Sequence, residues 1–321
     1  MTTKLFRRAR TLLPVTLLAV SLAACSGGAP TGSAPTTTPS QAAEFTGLAA
    51  GTPTQKITTT ENKNLSAKLP KDFGNTLNNA IDLSSPPSRF IDENGQPAGY
   101  EVDFAALLAQ KLGLKSNVNN VPFPQIIPGL AAKRYDLSVN NYTRTPEREA
   151  QVDMVEYIQG SVGVAYRAGN PKKIDETKTS LCGLSLGVLS GSYQEQVDVP
   201  EVKKQCEKAG LQLPTSISYG TNNEAILALS SGRYDAWLGN GTVAAYAAAQ
   251  HPEKFKSTAM KGTLSHSNIS LPKNSPLTPI IAEALQELMD EGTYEQVLDK
   301  WGIKDWALDK ASAVATPVIQ K

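Results

Sequence analysis

Histidine is nearly missing from this chain, which has two, His251 and His266, in 321 residues. Cysteine is almost as scarce, with Cys25, Cys182 and Cys206. No His/Cys cluster has metal-ligand spacing, and no Ser/His/Asp or Cys/His set or carboxylate pair stands out, which argues against a metal centre, a bound cofactor and the common hydrolytic enzymes. Both histidines stand alone and read as surface residues. Charge of one sign is also lacking: 31 Lys and Arg face 30 Asp and Glu. With no basic patch, nothing is offered for nucleic acid to grip. No apolar run reaches the roughly 20 residues of a membrane-spanning helix. What is present, 40% hydrophobic and 19% charged residues, is ordinary globular composition with room for two domains.

Residues 1–24 read as a removable export signal: Lys4, Arg7, Arg8 and Arg10 make a basic start, and Leu12 to Ala19 are apolar. Without them, 27 bases would face 30 acids. Leu22-Ala23-Ala24-Cys25 resembles the lipobox of bacterial lipoproteins, whose cysteine is acylated and becomes the new N-terminus; an ordinary secretory signal is the alternative. Residues 25–63 are rich in Thr, Ser, Pro, Ala and Gly and read as a disordered tether, holding the folded part about 30–35 Å from a membrane at 5–6 Å × √n. Cys182 and Cys206 form an even pair in an exported chain, so a disulfide is the natural reading, with two buried thiols as the alternative.

The chain is organised around Arg134 to Arg148. Leu137 and Val139 alternate with polar neighbours, as in a half-buried strand, which runs out into Asn140, Asn141, Tyr142 and Thr143. Thr145-Pro146-Glu147 then starts a helix, with a Thr cap and Pro at its first position. Arg148 in the first turn opposes the helix dipole, a cost that a bound anion would reverse. Such an arginine can hold a carboxylate bidentately.

Order is expected from about Thr76. Asn79 to Asp82 read as a first strand, Asp92 to Gly95 as a hairpin turn, and residues 99–112 as a helix burying Phe104, Leu107, Leu108 and Leu112. Val118 to Phe123 read as a strand, Ile126 to Leu130 as a short helix. A second set follows from Leu184: strand, then a helix broken at Pro200, a further helix from Val202, strand 216–219, and a capping box at Thr221 to Glu224. Strand 234–239 and helix 242–250 complete it. Ser275-Pro276 caps another helix, Thr293 to Gln296 form a second capping box, and residues 311–321 look frayed. Strands alternating with helices imply α/β layers.

Residues 129–143, GLAAKRYDLSVNNYT, echo residues 228–242, ALSSGRYDAWLGNGT, with six of fifteen positions identical. The echo implies two similar lobes whose strands end at a shared crevice, with Asn141 and Asn240 at corresponding places.

The stretch Gly99-Tyr100-Glu101-Val102-Asp103-Phe104, with Leu108-Ala109 and Leu112, resembles the signature of the family 3 extracellular solute-binding proteins, the polar amino-acid receptors of ABC transporters. Thr143 to Arg148 are similar to that family's central Thr-x-Thr-x-x-Arg motif, and Leu189-Ser190-Gly191-Ser192-Tyr193-Gln194 to its second-lobe loop. Gly292-Thr293-Tyr294 and Lys300-Trp301-Gly302 also fit. The lipobox, tether and cysteine pair are similar to lipoprotein members from Gram-positive actinobacteria. The resemblance implies an α/β fold of the two-lobed, type II periplasmic-binding-protein kind, with hinge strands near 160–166 and 264–269. Lobe 1 would comprise 64–163 and 267–321, and lobe 2 residues 164–266. It implies a monomeric receptor, lipid-anchored through Cys25 on the outer face of the cytoplasmic membrane, that gives a small carboxylate-bearing solute to an ABC transporter permease.

By motif, Arg148 is expected to hold the solute carboxylate, with Thr143 and the backbone of Ser192 or Tyr193 adding hydrogen bonds. Asn141 lies on the ammonium side, Phe123 covers the apolar part, and Asp82 faces the solute. Asn140, Leu189 and Gln194 complete the expected site. Three departures stand out: the family acid that pairs the α-ammonium falls at neutral Asn240, family aromatics fall at Ser85 and Ser88, and a small family residue is Asn141. Either the solute is not a standard L-α-amino acid, being betaine-like, modified or amide-bearing, or Asp82 supplies the counter-charge. The rivals are a sensor or scaffold lipoprotein uncoupled from transport, and a dehydratase-like enzyme on the same fold.

Overall fold

The computed structural model describes residues 54–311. The leader, Cys25, the tether up to residue 53 and residues 312–321 lie outside the described residues. The first half runs α1 (Lys63–Ser66), β1 (Thr76–Ile81), the hairpin strands β2 (Ser84–Ser85), β3 (Arg89–Ile91) and β4 (Pro97–Ala98), α2 (Tyr100–Lys111), β5 (Lys115–Asn120), α3 (Phe123–Ala131), β6 (Ser138–Thr143), α4 (Pro146–Glu149) and β7 (Val152–Gly160). After Ser161 come β8 (Val162–Arg167), β9 (Ser185–Leu189), α5 (Val199–Lys208), β10 (Thr215–Tyr219), α6 (Asn222–Ser230), β11 (Ala236–Asn240), α7 (Gly241–Gln250) and β12 (Phe255–Ala259). The chain returns through β13 (Ser265–Pro272), α8 (Leu277–Asp290) and α9 (Thr293–Lys300).

Two sheet systems result. In lobe 1, β1 and β5 pair in parallel, and β13 lies between β6 and β7, antiparallel to both. The amide of Ala80 donates to the Leu137 carbonyl at 3.0 Å and joins the two sets. In lobe 2 the order is β10-β9-β11-β8-β12, with β8 antiparallel to β11 and β12. The crossings fall at Ser161 and at residues 260–264, between strands that belong to different sheets. The second meets the expected hinge segment 264–269 only at residue 264, because β13 already pairs with lobe 1 from Ser265.

The helical face expected on α2 is buried: Phe104, Leu107, Leu108 and Leu112 pack in one core with Tyr157, Ile281 and Leu285. The echo has a structural meaning. Asp136 accepts the Asn78 amide at 2.7 Å, and Asp235 accepts the Ser185 amide at 2.9 Å, so each aspartate ties its turn to the neighbouring strand. Lys133 and Gly232 hold the same place in the two copies, and both have positive φ, 56° and 74°.

Several expectations are corrected. Residues 54–63 are not a free tether. Ile57 packs on the lobe 1 core, the Thr59 amide donates to Gln110 Oε1 at 2.6 Å, and the Asn62 amide donates to the Lys111 carbonyl at 2.9 Å. Asn62 then caps α1. Phe123 opens α3 rather than ending a strand. Pro200 does not break its helix. A wide turn over Gln194–Asp198 leads directly into α5 and leaves Pro200 in the first turn, where an N–H is not needed. The box expected at Thr293 is absent, since Gly292 precedes α9 in a left-handed conformation and the Thr293 hydroxyl goes to Glu291 Oε1. The box at Thr221 and Glu224 is present in both directions, and Ser275 Oγ accepts the Leu277 amide at 3.3 Å. Cys182 and Cys206 are disulfide-bonded, with Cα atoms 5.6 Å apart. His266 is not solitary: its Nδ1 lies 2.5 Å from Glu156 Oε1 on β7.

Candidate functional site

The ends of β6 and β11 face one cavity between the lobes, with about 40 Å³ of room for the centres of water-sized molecules. On the lobe 1 side, β6 carries a two-residue bulge. Val139 pairs with Ile269 and Tyr142 with Asn268, so Asn140 and Asn141 are inserted without partners in the ladder. Asn141 has φ 42°, a left-handed conformation that asparagine tolerates better than most residues. The bulge presents it to the cavity, where Nδ2 donates to Tyr100 OH at 3.0 Å and Ser88 Oγ at 3.2 Å. Its Oδ1 accepts from Tyr157 OH at 3.1 Å.

Thr145 caps α4 by accepting the Arg148 amide at 3.2 Å. The helix is a single turn, which fixes where Arg148 departs. Its guanidinium lies 5.1 Å from the Tyr142 ring centroid, and Tyr142 in turn stacks on Phe123 at 4.7 Å. One terminal nitrogen donates to the Thr143 carbonyl at 2.7 Å, and the other crosses to lobe 2 and donates to the Gly191 carbonyl at 2.9 Å. Arg148 is 6% exposed, and among the described residues no carboxylate lies within ion-pairing distance. Burial therefore lowers its pKa, with only weaker opposing effects from Tyr142, Tyr193 and Glu147.

Lobe 2 contributes the loop after β9. Gly191 adopts φ 73°, a conformation that favours glycine. Its amide donates to Glu195 Oε2 at 2.6 Å, and Glu195 also takes the Ser218 hydroxyl. Ser192 Oγ accepts the Glu195 amide at 3.1 Å, while the Ser192 amide is turned back to the Leu189 carbonyl. Trp237 on β11 is another wall residue. A side chain at Gly239 would begin 2.0 Å from the indole, so the ring requires this glycine. Trp237 Nε1 is buried and has no partner. The lobes also meet where Asn222 Nδ2 donates to Ser85 Oγ at 2.7 Å.

Residues 77–304 match the profile of the bacterial extracellular solute-binding proteins, family 3. The chain belongs to this family. Over 226 residues it is 30% identical to "Arginine-binding protein ArgT" of Corynebacterium glutamicum, covering 70% of this chain and 74% of that protein. Among solved structures it is similar to an ancestral arginine-binding protein bound to arginine, with 31% identity, TM-score 0.64, and coverage of 71% of this chain and 98% of that one. An ancestral arginine-binding protein bound to glutamine is similar at 31% identity and TM-score 0.63, with the same coverage. The fold is the two-lobed type II arrangement.

In this family 3 protein the cavity brings together Ser85, Phe123, Asn141, Thr143, Arg148 and Asn240 of the expected set. Leu189, Ser192, Tyr193 and Gln194 join them from the second-lobe loop. Two expected residues stand outside the lining. Asp82 is buried behind it, its carboxylate accepting the Ser84 hydroxyl and the Phe123 amide, so it anchors the start of α3. Asn140 is fully buried with no partner for its amide. Asn240 caps α7 as well as lining the cavity: Oδ1 accepts the Thr242 amide at 2.9 Å and the Thr242 hydroxyl at 2.7 Å. Arg89, Asn222, Trp237 and Ser265 also line the wall and were not anticipated. The echo placed Trp237 on the right strand but gave no sign of which face it took. Among the described residues no group of three or more His, Cys, Asp or Glu is arranged to hold a metal, and no helix is long and apolar enough to cross a membrane.

Proposed function

We propose that this chain is an extracytoplasmic receptor that captures an amino acid or related carboxylate-bearing polar solute between its lobes and delivers it to an ABC importer. The observation that carries this reading is Arg148, a buried cation at the lobe boundary held only by neutral carbonyls, one from each lobe. A carboxylate entering there replaces weak acceptors with a charged, bidentate partner. Thr143 and the Tyr193 amide add hydrogen bonds to the same group. Phe123 and Trp237 flank the remainder of the solute. A solute touching both lobes favours the closed state, because only that state offers all its contacts at once. The names of the relatives, receptors for arginine and other amino acids, support this solute class. We read the protein as a binding protein without catalytic activity, acting as a monomer and anchored to the outer face of the cytoplasmic membrane through acylated Cys25.

A thermal-shift screen of amino acids, betaines and amide-bearing acids tests the reading. At least one acid is expected to raise the melting temperature of the wild type and to lose that effect in Arg148→Met. An Arg148→Met protein that binds as tightly as wild type contradicts the site assignment. Deleting the gene is expected to abolish uptake of the same solute, and retained uptake contradicts the link to transport.

A further inference from the structure

The cavity has a cationic wall and no anionic one. Arg89 and Arg148 both line it, and no lining residue is Asp or Glu. Glu101, 2.8 Å from Arg89, and the buried Asp82 carboxylate both offset Arg89 from behind the wall, while Arg148 has no acidic ion-pair partner among the described residues. Of the side-chain amide oxygens that a solute cation would seek, Asn240 Oδ1 takes both Thr242 donors, and Asn141 Oδ1 shares the single Tyr157 hydroxyl proton with Glu101. Three buried polar atoms of wall residues have no partner: the donors Trp237 Nε1 and Arg89 Nε, and the acceptor Asn222 Oδ1. A solute ammonium or guanidinium enclosed here meets no carboxylate, and burying an unpaired charge is strongly disfavoured.

We propose, resting on the reading of Arg148 as the carboxylate anchor, that the solute is a monoanion. It is a carboxylic acid without a cationic group, and its far end is a neutral carboxamide-like group that accepts from Trp237 Nε1 and donates to Asn222 Oδ1. A carboxamide supplies both halves of that exchange in one planar group. Asn240 is then the specificity-determining residue. It caps α7 as well as an aspartate would, but lacks the charge that an α-ammonium needs.

Calorimetric titration of the purified chain with glutaramic acid, which is glutamine without its α-amino group, with L-glutamine and with L-arginine tests this. Glutaramate is expected to bind about tenfold or more tighter than L-glutamine and about a hundredfold tighter than L-arginine. Asn240→Asp is expected to reverse the first preference, L-glutamine gaining about tenfold while glutaramate weakens. A wild type that prefers either amino acid, or binds none of the three, overturns the proposal, as does an Asn240→Asp protein with an unchanged ratio. Arg148→Met separates the two levels. If the wild type prefers L-glutamine and this variant loses that binding, the anchor stands and the monoanion falls. If the variant binds like wild type, both fall.

Discussion

Arg89 and Arg148 lie in the same wall and are buried to nearly the same degree, 3% and 6% exposed, yet the protein treats them in opposite ways. Burial pulls both guanidiniums toward the neutral form. At Arg89 the charges of Glu101 and Asp82 outweigh burial, and its pKa is raised. At Arg148 nothing outweighs it, and its pKa is lowered. Arg144, a third buried arginine, also has an acidic partner, with Glu149 3.0 Å away. A charge that serves the fold is matched inside the fold. The one left against carbonyl oxygens, Arg148, sits where the lobes meet, and its proposed partner is the solute carboxylate.

Separate substitutions break the comparison most sharply. Arg89→Met leaves Glu101 buried without its cation and is expected to cost about 3–5 kcal/mol of stability in urea denaturation. Arg148→Met removes a cation that no acid needs, so the stability of the unliganded chain is expected to change by less than about 1 kcal/mol. Its solute affinity is expected to fall about a hundredfold, near 3 kcal/mol by titration. Equal losses of stability in the two variants would erase the distinction.

Smaller changes sharpen it. Glu195 orients the Gly191 loop whose carbonyl receives Arg148. Glu195→Gln weakens that hold and is expected to reduce solute affinity about threefold to tenfold with little loss of stability. The smallest effect concerns a paired cation on β13. The hydrogen bond to Glu156 raises the pKa of His266 above its usual 6.5. Its stabilisation is therefore complete below about pH 6.5, the unfolded value, and is lost as pH rises through the folded value. His266 is partly exposed, so the gain is screened and is expected to stay below about 1 kcal/mol. His266→Gln should be less stable than wild type at pH 6, with the gap closing in alkaline solution.

The sequence was legible where signals are local. Thr145, Pro146 and Arg148 lie within four residues, and their cap and turn can be read as a unit. The Thr221 box and the Asp136/Asp235 echo are equally local in origin, although each aspartate acts on a distant strand. Asp82 misled because the groups that use its carboxylate, Ser84 and the Phe123 amide, depend on how β1 and α3 meet. Residues 54–63 misled because they dock mainly through polar contacts to Gln110, Lys111, Glu287 and Glu291, and composition cannot register such contacts. Trp237 and Asn222, both in lobe 2, became visible only with lobe 1 facing them, since a strand or helix residue has no cavity until another element supplies the opposite wall.

The most direct test of the account compares the tightest-binding acid from the solute screen with the primary amide made from its carboxyl, in wild type and in Arg148→Met. Wild type is expected to prefer the acid about a hundredfold, and the variant to bind acid and amide alike. An undiminished preference for the acid in Arg148→Met would contradict the account.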